Sequence, residues 1–428
     1  MSQATQGRPA PAGVVTPASR VRSQVAIAGK PAPGTVEDVP RLLNRLQVLG
    51  VATCVVFGVV AALLQLLAWQ ASGRAADNTE QLVRVQQIQS SLFRADALAT
   101  NAFLVGGLEN AEQRAEYDAA LDQALRQIAD AADAQPADRK VLADLNTEVA
   151  AYATAITQAR DNNRQGFPIG SLYLQQAGVQ LRADAVPILQ GLSDANTERA
   201  TDEMGGQNTL PLFLVGLAAV AVLWWVNREL AKRFRRRVNV GVAVAALAIT
   251  VVTLVAVVVS AGTSSKHDGL RDGSLTLAID ESAARTAAND AKAEESLRLI
   301  ARGSGATAEP KWQEKAAVVD DNASRETRLL WQDYVALHDG VVASDDEGDW
   351  NEAVRLATTT DSGGTSAALT AFDQASQEVV SDAAESTADS LRSGGVVAWM
   401  LMIVALLAGL GAAATVAWGV GQRRKEYA

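Results

Sequence analysis

The sequence predicts an all-α membrane protein with four transmembrane helices and two extracytoplasmic antiparallel four-helix bundles, related by internal duplication. Three observations carry this expectation. Four apolar runs, at residues 46–69, 210–226, 238–262 and 396–420, measure 24, 17, 25 and 25 residues and contain no charged side chain. A spanning helix needs about 20 apolar residues, within a range of about 17–25. The two long polar segments between the runs repeat apolar residues at steps of three and four, the pattern of helices that bury one stripe. Finally, RADALA (residues 94–99) begins 25 residues past the end of the first run, and ANDAKA (288–293) begins 26 past the end of the third. Matching segments at near-equal offsets point to one unit of span, bundle and span used twice.

Charge sets the expected orientation. The stretch up to Arg45 carries net +4, the short connection at 227–238 carries +5 and the stretch after 420 carries +2, whereas 71–209 and 263–394 carry −8 and −13. Lys and Arg close to the ends of spans mark the cytoplasmic side. Both acidic segments are therefore expected outside, with the N- and C-termini in the cytoplasm of a multi-pass plasma-membrane protein. The sequence pI of 4.9 then describes two exported domains and argues against nucleic acid as a partner. The single cysteine, Cys54, lies in the first run, so the exported segments are expected to hold together by packing alone.

Taken in order, residues 1–45 read as a cytoplasmic leader, disordered up to about Pro40 because Ala, Pro, Gly, Ser and Thr dominate it. The first span, 46–69, exceeds the usual apolar core of a cleaved signal peptide and reads as an uncleaved anchor. Residues 70–209 form the first bundle. Leu82, Val85, Ile88, Leu92, Ala95, Ala99 and Ala102 mark its first helix, ended at Gly106-Gly107; Tyr117, Leu121, Ala124, Ile128 and Ala131 mark the second. After Pro136 come Leu142, Leu145, Val149, Tyr152, Ile156 and Ala159, and after Gly166 and Pro168 come Leu174, Leu181, Ala185, Ile188, Leu192 and Ala195. The second span, 210–226, tolerates Pro211 in its first turn, where the missing N–H costs little. A basic loop at 227–237 and the third span, 238–262, follow. The second bundle, 263–395, is expected as a helix ending at ARGSG (301–305), a long helix over 312–340, a short piece near 350–357, and a last helix carrying Phe372, Ala375, Val379 and Ala383. SDDEGD (344–349) reads as an acidic turn and Ser362-Gly363-Gly364-Thr365 as a helix start. The fourth span, 396–420, contains Ala408, Gly409, Gly411 and Ala412, which permit close helix packing, and the basic tail 421–428 ends the chain.

The chemistry of catalysis is sparse. His267, His338 and Cys54 cannot assemble a zinc-type cluster, and no phosphate-binding loop, nucleophile elbow or H-E-x-x-H pattern occurs. Gly303-Ser304-Gly305 reads as a helix-ending loop; the Asp320-Asp321 and Asp345-Asp346-Glu347 clusters read as solvated surface, with loose Ca²⁺ binding the sharper alternative for the second. The spans hold Gln47, Gln65, Asn239, Thr250 and Thr253 but no ionisable group, which counts against translocation. The expectation is a non-enzymatic protein with no catalytic residue, cofactor or metal. The candidate contact residues are Arg228, Lys232, Arg233, Arg235, Arg236 and Arg237, which at the least fix topology and more sharply meet a cytoplasmic partner or anionic lipid. Short cytoplasmic segments leave no room for a kinase, cyclase or methyl-accepting domain, so any signal is expected to pass to a separate partner.

Four stretches carry a family resemblance: RADALATNAFLVGGLE (94–109), SLYLQQAGVQLRADAVPIL (171–189), AKAEESLRLIARGSG (291–305) and DYVALHDGVVASDDEGDWNEAVRLA (333–357). Across roughly residues 41–422 the chain resembles the actinobacterial GlnX family, four-span membrane proteins encoded beside the amino-acid-binding lipoprotein GlnH and the soluble serine/threonine kinase PknG. The bundles also resemble the four-helix sensor domains of chemoreceptors. The resemblance implies a relay in which aspartate or glutamate, bound outside by the lipoprotein, is signalled through the membrane to the cytoplasmic kinase. The alternatives are a structural or envelope-assembly protein and a transporter accessory subunit, neither passing a signal inward. The lipid bilayer is a partner in every case, and a homo-oligomer is compatible with each.

Overall fold

A computed structural model describes residues 39–105, 111–205, 209–234, 238–302 and 307–425, and no strand occurs among them. Twelve helices are described: α1 (Val39–Leu104), α2 (Ala111–Ala134), α3 (Arg139–Arg164), α4 (Ile169–Gln180), α5 (Val186–Gly205), α6 (Leu210–Phe234), α7 (Val240–Leu270), α8 (Thr276–Ile300), α9 (Glu309–Asn322), α10 (Arg325–Asp346), α11 (Trp350–Thr358) and α12 (Thr365–Lys425). A π turn at Leu181–Ala185 joins α4 to α5, and another at Arg271–Leu275 joins α7 to α8. Four of these rods are long and apolar enough to cross a membrane, as in a multi-pass membrane protein.

The four apolar stretches pack around Cys54, Phe57, Leu223, Ile249, Ala405 and Val416, while Leu63, Leu67, Val258 and Leu407 stay exposed on their outer faces. That inside-out arrangement is what a lipid-facing layer requires. Close approach depends on glycine at two crossings. A Cβ on Gly409 would lie 2.6 Å from Gly58 Cα, and one on Gly241 would lie 2.3 Å from the Thr415 carbonyl. Gly409 and Ala412 are therefore used for packing as the sequence suggests, whereas Gly411 faces open space.

Beyond the apolar layer, α1, α2, α3 and α4–α5 enclose a core that takes every residue expected from α3 and, from α1, Val85, Ile88, Leu92, Ala95 and Ala99; Leu82 is buried in a separate cluster with Ala200 and Leu275. In α5 the stripe moves: Leu189 and Asn196 are buried and Ile188 and Ala195 only half-buried. The π turn just ahead inserts an extra residue into the helical register and accommodates Pro187, which cannot donate to the regular ladder. On the other side, the helix expected across 312–340 is two helices. Ser324 breaks it: its hydroxyl accepts from the Thr327 N–H at 3.4 Å, and its own N–H donates to Glu281 Oε2 at 2.7 Å. In α12 Phe372 and Ala383 are buried as expected, but Ser376 and Val380 are buried where Ala375 and Val379 are only half-buried. The helix start falls where expected, while the acidic turn is shorter than expected because α10 runs on through Asp346, with Gly348 and Gly363 at φ +85 and +104.

Two boundaries differ from the expectation. α1 already begins at Val39, inside the expected leader; residues 1–38 lie outside the described part. α6 continues to Phe234, so most of the basic loop is its last two turns. The polar helices also form one continuous body. α1 packs along α12 and α8 as well as against α2 and α5, and Val83, Ala278, Val380 and Ala384 fill the seam.

Candidate functional site

The seam between α1 and α8 brings RADALA and ANDAKA together, and ionisable side chains dominate it. Ser90 Oγ and Thr286 Oγ1 lie 3.0 Å apart across it. Asp96, with 1% of its side chain exposed, pairs with Arg182 Nη1 at 3.0 Å; the same guanidinium donates from Nε to Asp290 Oδ1 at 3.1 Å. One arginine from the π turn thus ties the aspartates of the two matching segments to each other. Gly178 makes this possible: a Cβ there would lie 3.0 Å from Arg182 Nη1, which instead donates to the Gly178 carbonyl at 2.8 Å. Tyr152 donates to Asp96 at 3.1 Å, and burial together with that carboxylate pushes its phenol well above its ordinary pKa.

A second group centres on Asp373 of α12. Arg285 holds it bidentately at 2.8 and 3.0 Å, Asn289 Nδ2 donates to it at 2.9 Å and Arg94 Nη1 at 2.8 Å. Burial alone would raise this carboxyl, but Arg285 and then Arg94 outweigh it and hold it below its usual range. A third group surrounds Glu295, which is fully buried. It accepts from Lys292 at 2.6 Å, Thr365 at 2.8 Å and Tyr334 at 3.3 Å, with His338 Nδ1 at 2.8 Å. Lys292 also donates to the Ala357 carbonyl at 2.6 Å and Thr365 at 2.7 Å, which uses all three of its N–H bonds. His338 stacks on Trp312 with ring centres 3.7 Å apart and reaches Glu309 at 3.5 Å. Burial would lower the imidazole's pKa, but Glu295 and Glu309 raise it above its ordinary value. In the acidic turn Asp345 and Asp346 are taken by Arg298, and no group of three metal-ligating side chains forms among the described residues.

Two cavities flank the seam. One, of about 300 Å³, lies between α1, α2, α8 and α12 and is lined by Arg94, Asn101, Gln113, Glu116, Asn289 and Ser366 among others. The other, of about 500 Å³, lies between α1, α5, α8 and α9 and is lined by Arg182, Asp290 and Lys315 among others. The seam offers hydrogen-bonding and charge recognition at the junction of helices that also cross the apolar layer.

Of the sequence-predicted contact residues, Arg228, Lys232 and Arg233 lie in the last turns of α6. Arg228 lies over the Trp224 ring at 5.4 Å, and Lys232 pairs with Glu229 at 3.1 Å. Arg233 lies in the last turn of α6; Arg235, Arg236 and Arg237 fall outside the described residues. The connection is anchored: Asn227 Oδ1 accepts from the Asn239 N–H at 2.9 Å, and Asn239 Nδ2 donates to the Gly419 carbonyl of α12 at 3.1 Å. Sequence reasoning missed the seam. The RADALA and ANDAKA match names its segments, but a repeat by itself carries no sign that their charges meet.

Residues 71–205 match the family model described as Actinobacterial sensor domain. The match starts just past the first apolar run and covers the polar part of α1 through α5. It fits an actinobacterial sensor protein with a sensing, signalling role. No curated protein and no solved structure matches the chain.

Proposed function

We propose that this chain is a non-enzymatic transmembrane relay. It senses aspartate or glutamate outside the plasma membrane, through a binding lipoprotein or directly, and passes the signal to a cytoplasmic serine/threonine kinase. In this reading both termini and the basic end of α6 are cytoplasmic, and the two polar helix sets are duplicated sensor bundles. The observation that carries it is continuity: α1 and α12 run unbroken from the charged seam to the far end of the apolar layer. From Arg94 to Leu43 that is about 75 Å of helix at 1.5 Å per residue. A displacement on the order of 1–2 Å at the seam is of the size that helices transmit between packed states. It would arrive where Gly419 meets Asn239, beside Arg228 and Lys232.

The test is capture of lipoprotein and kinase by the purified full chain, with and without aspartate or glutamate. The expected outcome is amino-acid-dependent capture of the lipoprotein with the kinase retained. Replacing Arg228, Lys232, Arg233, Arg235, Arg236 and Arg237 by Gln is expected to release the kinase while protease accessibility reports unchanged insertion. Correct insertion with capture of neither partner overturns the relay.

A further inference from the structure

We infer that the cavity between α1, α6 and α7, at the end of the apolar layer nearest the polar helices, holds one diacyl phospholipid. Gln65, Thr209 and Ser260 would donate to its ester carbonyls, and one acyl chain would lie against Leu64 and Leu212. The inference rests on the membrane placement of the apolar runs and not on the relay.

The first observation is a belt of polar side chains at one depth. Gln65 lies inside the first apolar run, is 3% exposed, and lines this cavity together with Thr209 and Ser260. Two glycine crossings set the register. A Cβ on Gly50 would lie 3.9 Å from Leu223 Cδ2, and one on Gly216 would lie 2.3 Å from Thr253 Oγ1. α6 runs antiparallel to both neighbours, since Leu64 of α1 and Ser260 of α7 meet its start while Asn239 meets Asn227 near its end. Fifteen residues along α1 from Gly50 is Gln65, and fourteen back along α6 from Leu223 is Thr209. Seven back from Gly216 is Thr209 again, and seven on from Thr253 is Ser260. The three therefore share one level, about 6 Å inside Trp69 at 1.5 Å per residue.

The protein itself does not satisfy this belt. Gln47, near the other end of the same run, donates to the Ala417 carbonyl at 3.4 Å. On α7, Thr250 and Thr263 turn their hydroxyls back to the carbonyls of Ala246 and Val259 at 2.8 and 3.1 Å. The side chains of Gln65, Thr209 and Ser260 make no hydrogen bond among the described residues. The Gln65 amide is also not sealed off, as Gln81 Oε1 and Gln86 Oε1 are; what remains open of it faces the cavity. A polar group at membrane depth is costly unless something meets it.

The second observation is the order of chemistry along the wall. Leu64 and Leu212 are apolar, and Leu67, 58% exposed, borders the cavity on the lipid-facing surface. The polar belt comes next. At the top Arg74 and Glu203 close the cavity through paired bonds of 2.7 and 3.0 Å, made by Nε and Nη2. Apolar, then hydrogen-bonding, then charged is the order of a phospholipid's chain, esters and headgroup from the bilayer core outward. Because the cavity opens beside Leu67, the molecule that reaches it is a lipid rather than bulk water. Arg74 and Glu203 neutralise each other, so recognition falls on the ester region and not on headgroup charge. A volume of about 380 Å³ takes the glycerol esters and the start of one chain, with the rest left in the bilayer. Occupancy would brace α1 against α6 where both leave the apolar layer.

The experiment titrates the detergent-purified full chain with dioleoyl phosphatidylglycerol, dioleoyl phosphatidylethanolamine, the diether analogue of the first, and oleate, read by native mass spectrometry. Lipids also adhere to the outer faces, so the signal is the difference between wild type and Ser260→Phe, whose ring fills the cavity. The expected result is one diester phospholipid more on the wild type, with the two headgroups within about 3-fold of each other. The diether, which lacks carbonyl acceptors, should bind about 5-fold more weakly, as loss of one hydrogen bond implies. Gln65→Leu suits an apolar run, so its ligand-free unfolding temperature is expected to hold while affinity for the diester falls about 5-fold and the preference over the diether disappears. No extra lipid on the wild type, diether or oleate bound as tightly as diester, a lipid-free dimer, or Gln65→Leu indistinguishable from wild type overturns the site. Any of these leaves the relay standing, and loss of lipoprotein and kinase capture leaves the lipid site standing.

Discussion

Helices α3 and α8 have 26 and 25 residues, and neither is apolar, yet they are buried in opposite ways. α3 buries six residues at alternating steps of three and four, all of them Leu, Val, Tyr, Ile or Ala. α8 buries seventeen, seven of which are charged: Glu281, Arg285, Asp290, Lys292, Glu294, Glu295 and Arg298. α3 shows one face to a core and the rest to water, so its stabilisation comes from removing apolar area from water. α8 is surrounded by α1, α9 and α12. Its polar groups cannot reach water and must find partners inside. The helix at the centre of the molecule is therefore held by complementary charge, which makes its position specific to the partners it finds.

The largest break in this comparison is expected at Asp373. Asp373→Ala leaves Arg285, 4% exposed, without its carboxylate and removes one of the two acceptors of Asn289 Nδ2. Breaking one side of a buried pair costs about 3–5 kcal/mol. Denaturant unfolding followed by tryptophan fluorescence checks it, since Trp312, Trp331 and Trp350 lie on this side and residues 71–205 contain none. Converting Asp373→Leu together with Arg285→Met sharpens the point, because an apolar pair of similar volume is often neutral; the double variant should regain most of the loss. If it is as unstable as Asp373→Ala, the charge pairing is not what the single variant removed. Leu145→Ala in α3 is expected to cost about 3 kcal/mol through the cavity it leaves. Hydrogen exchange of α3 should loosen, with no dependence on salt.

How much of this was legible follows from the same contrast. Leu142 to Ala159 lie on one stripe, and a stripe is what periodicity detects. The four apolar runs were legible for a similar reason, since length and absence of charge decide a span. α8 carries no such pattern, because a helix enclosed on several sides has no polar face to alternate with. Glu295 and His338 lie 43 residues apart, and Arg94 and Asp373 lie 279 apart, so nothing local marks them as partners. The Ser324 break went unseen because Ser is common within helices; what fixes it as a cap is Glu281 receiving its N–H. The basic end of α6 was legible as charge, but not as helix.

The smallest expected effect also separates the two sides, because residues 71–205 contain no histidine. His338 has a pKa raised above its ordinary 6.5 despite burial, through Glu295 and Glu309. A raised folded-state value means the protonated imidazole stabilises the fold fully below 6.5, and this contribution is lost as pH rises through the raised value. Two other buried groups tilt the other way: burial lowers the pKa of His267 and, despite Glu295, that of Lys292. Total stability against pH therefore mixes signs, and a difference measurement is required. The unfolding free energy of the wild type minus that of His338→Gln should be largest in mildly acid solution and shrink as pH rises past neutrality. At the acid end, Glu309 and Asp373, both held below their ordinary values, lose their contribution as pH falls through their folded values. A difference that instead grows as pH rises through 6.5 would show that His338 is neutral in the fold, since the unfolded imidazole then binds the proton that the folded one does not. The Glu295 group would then be a neutral hydrogen-bonding hub completed by Lys292, and not a second charge pair.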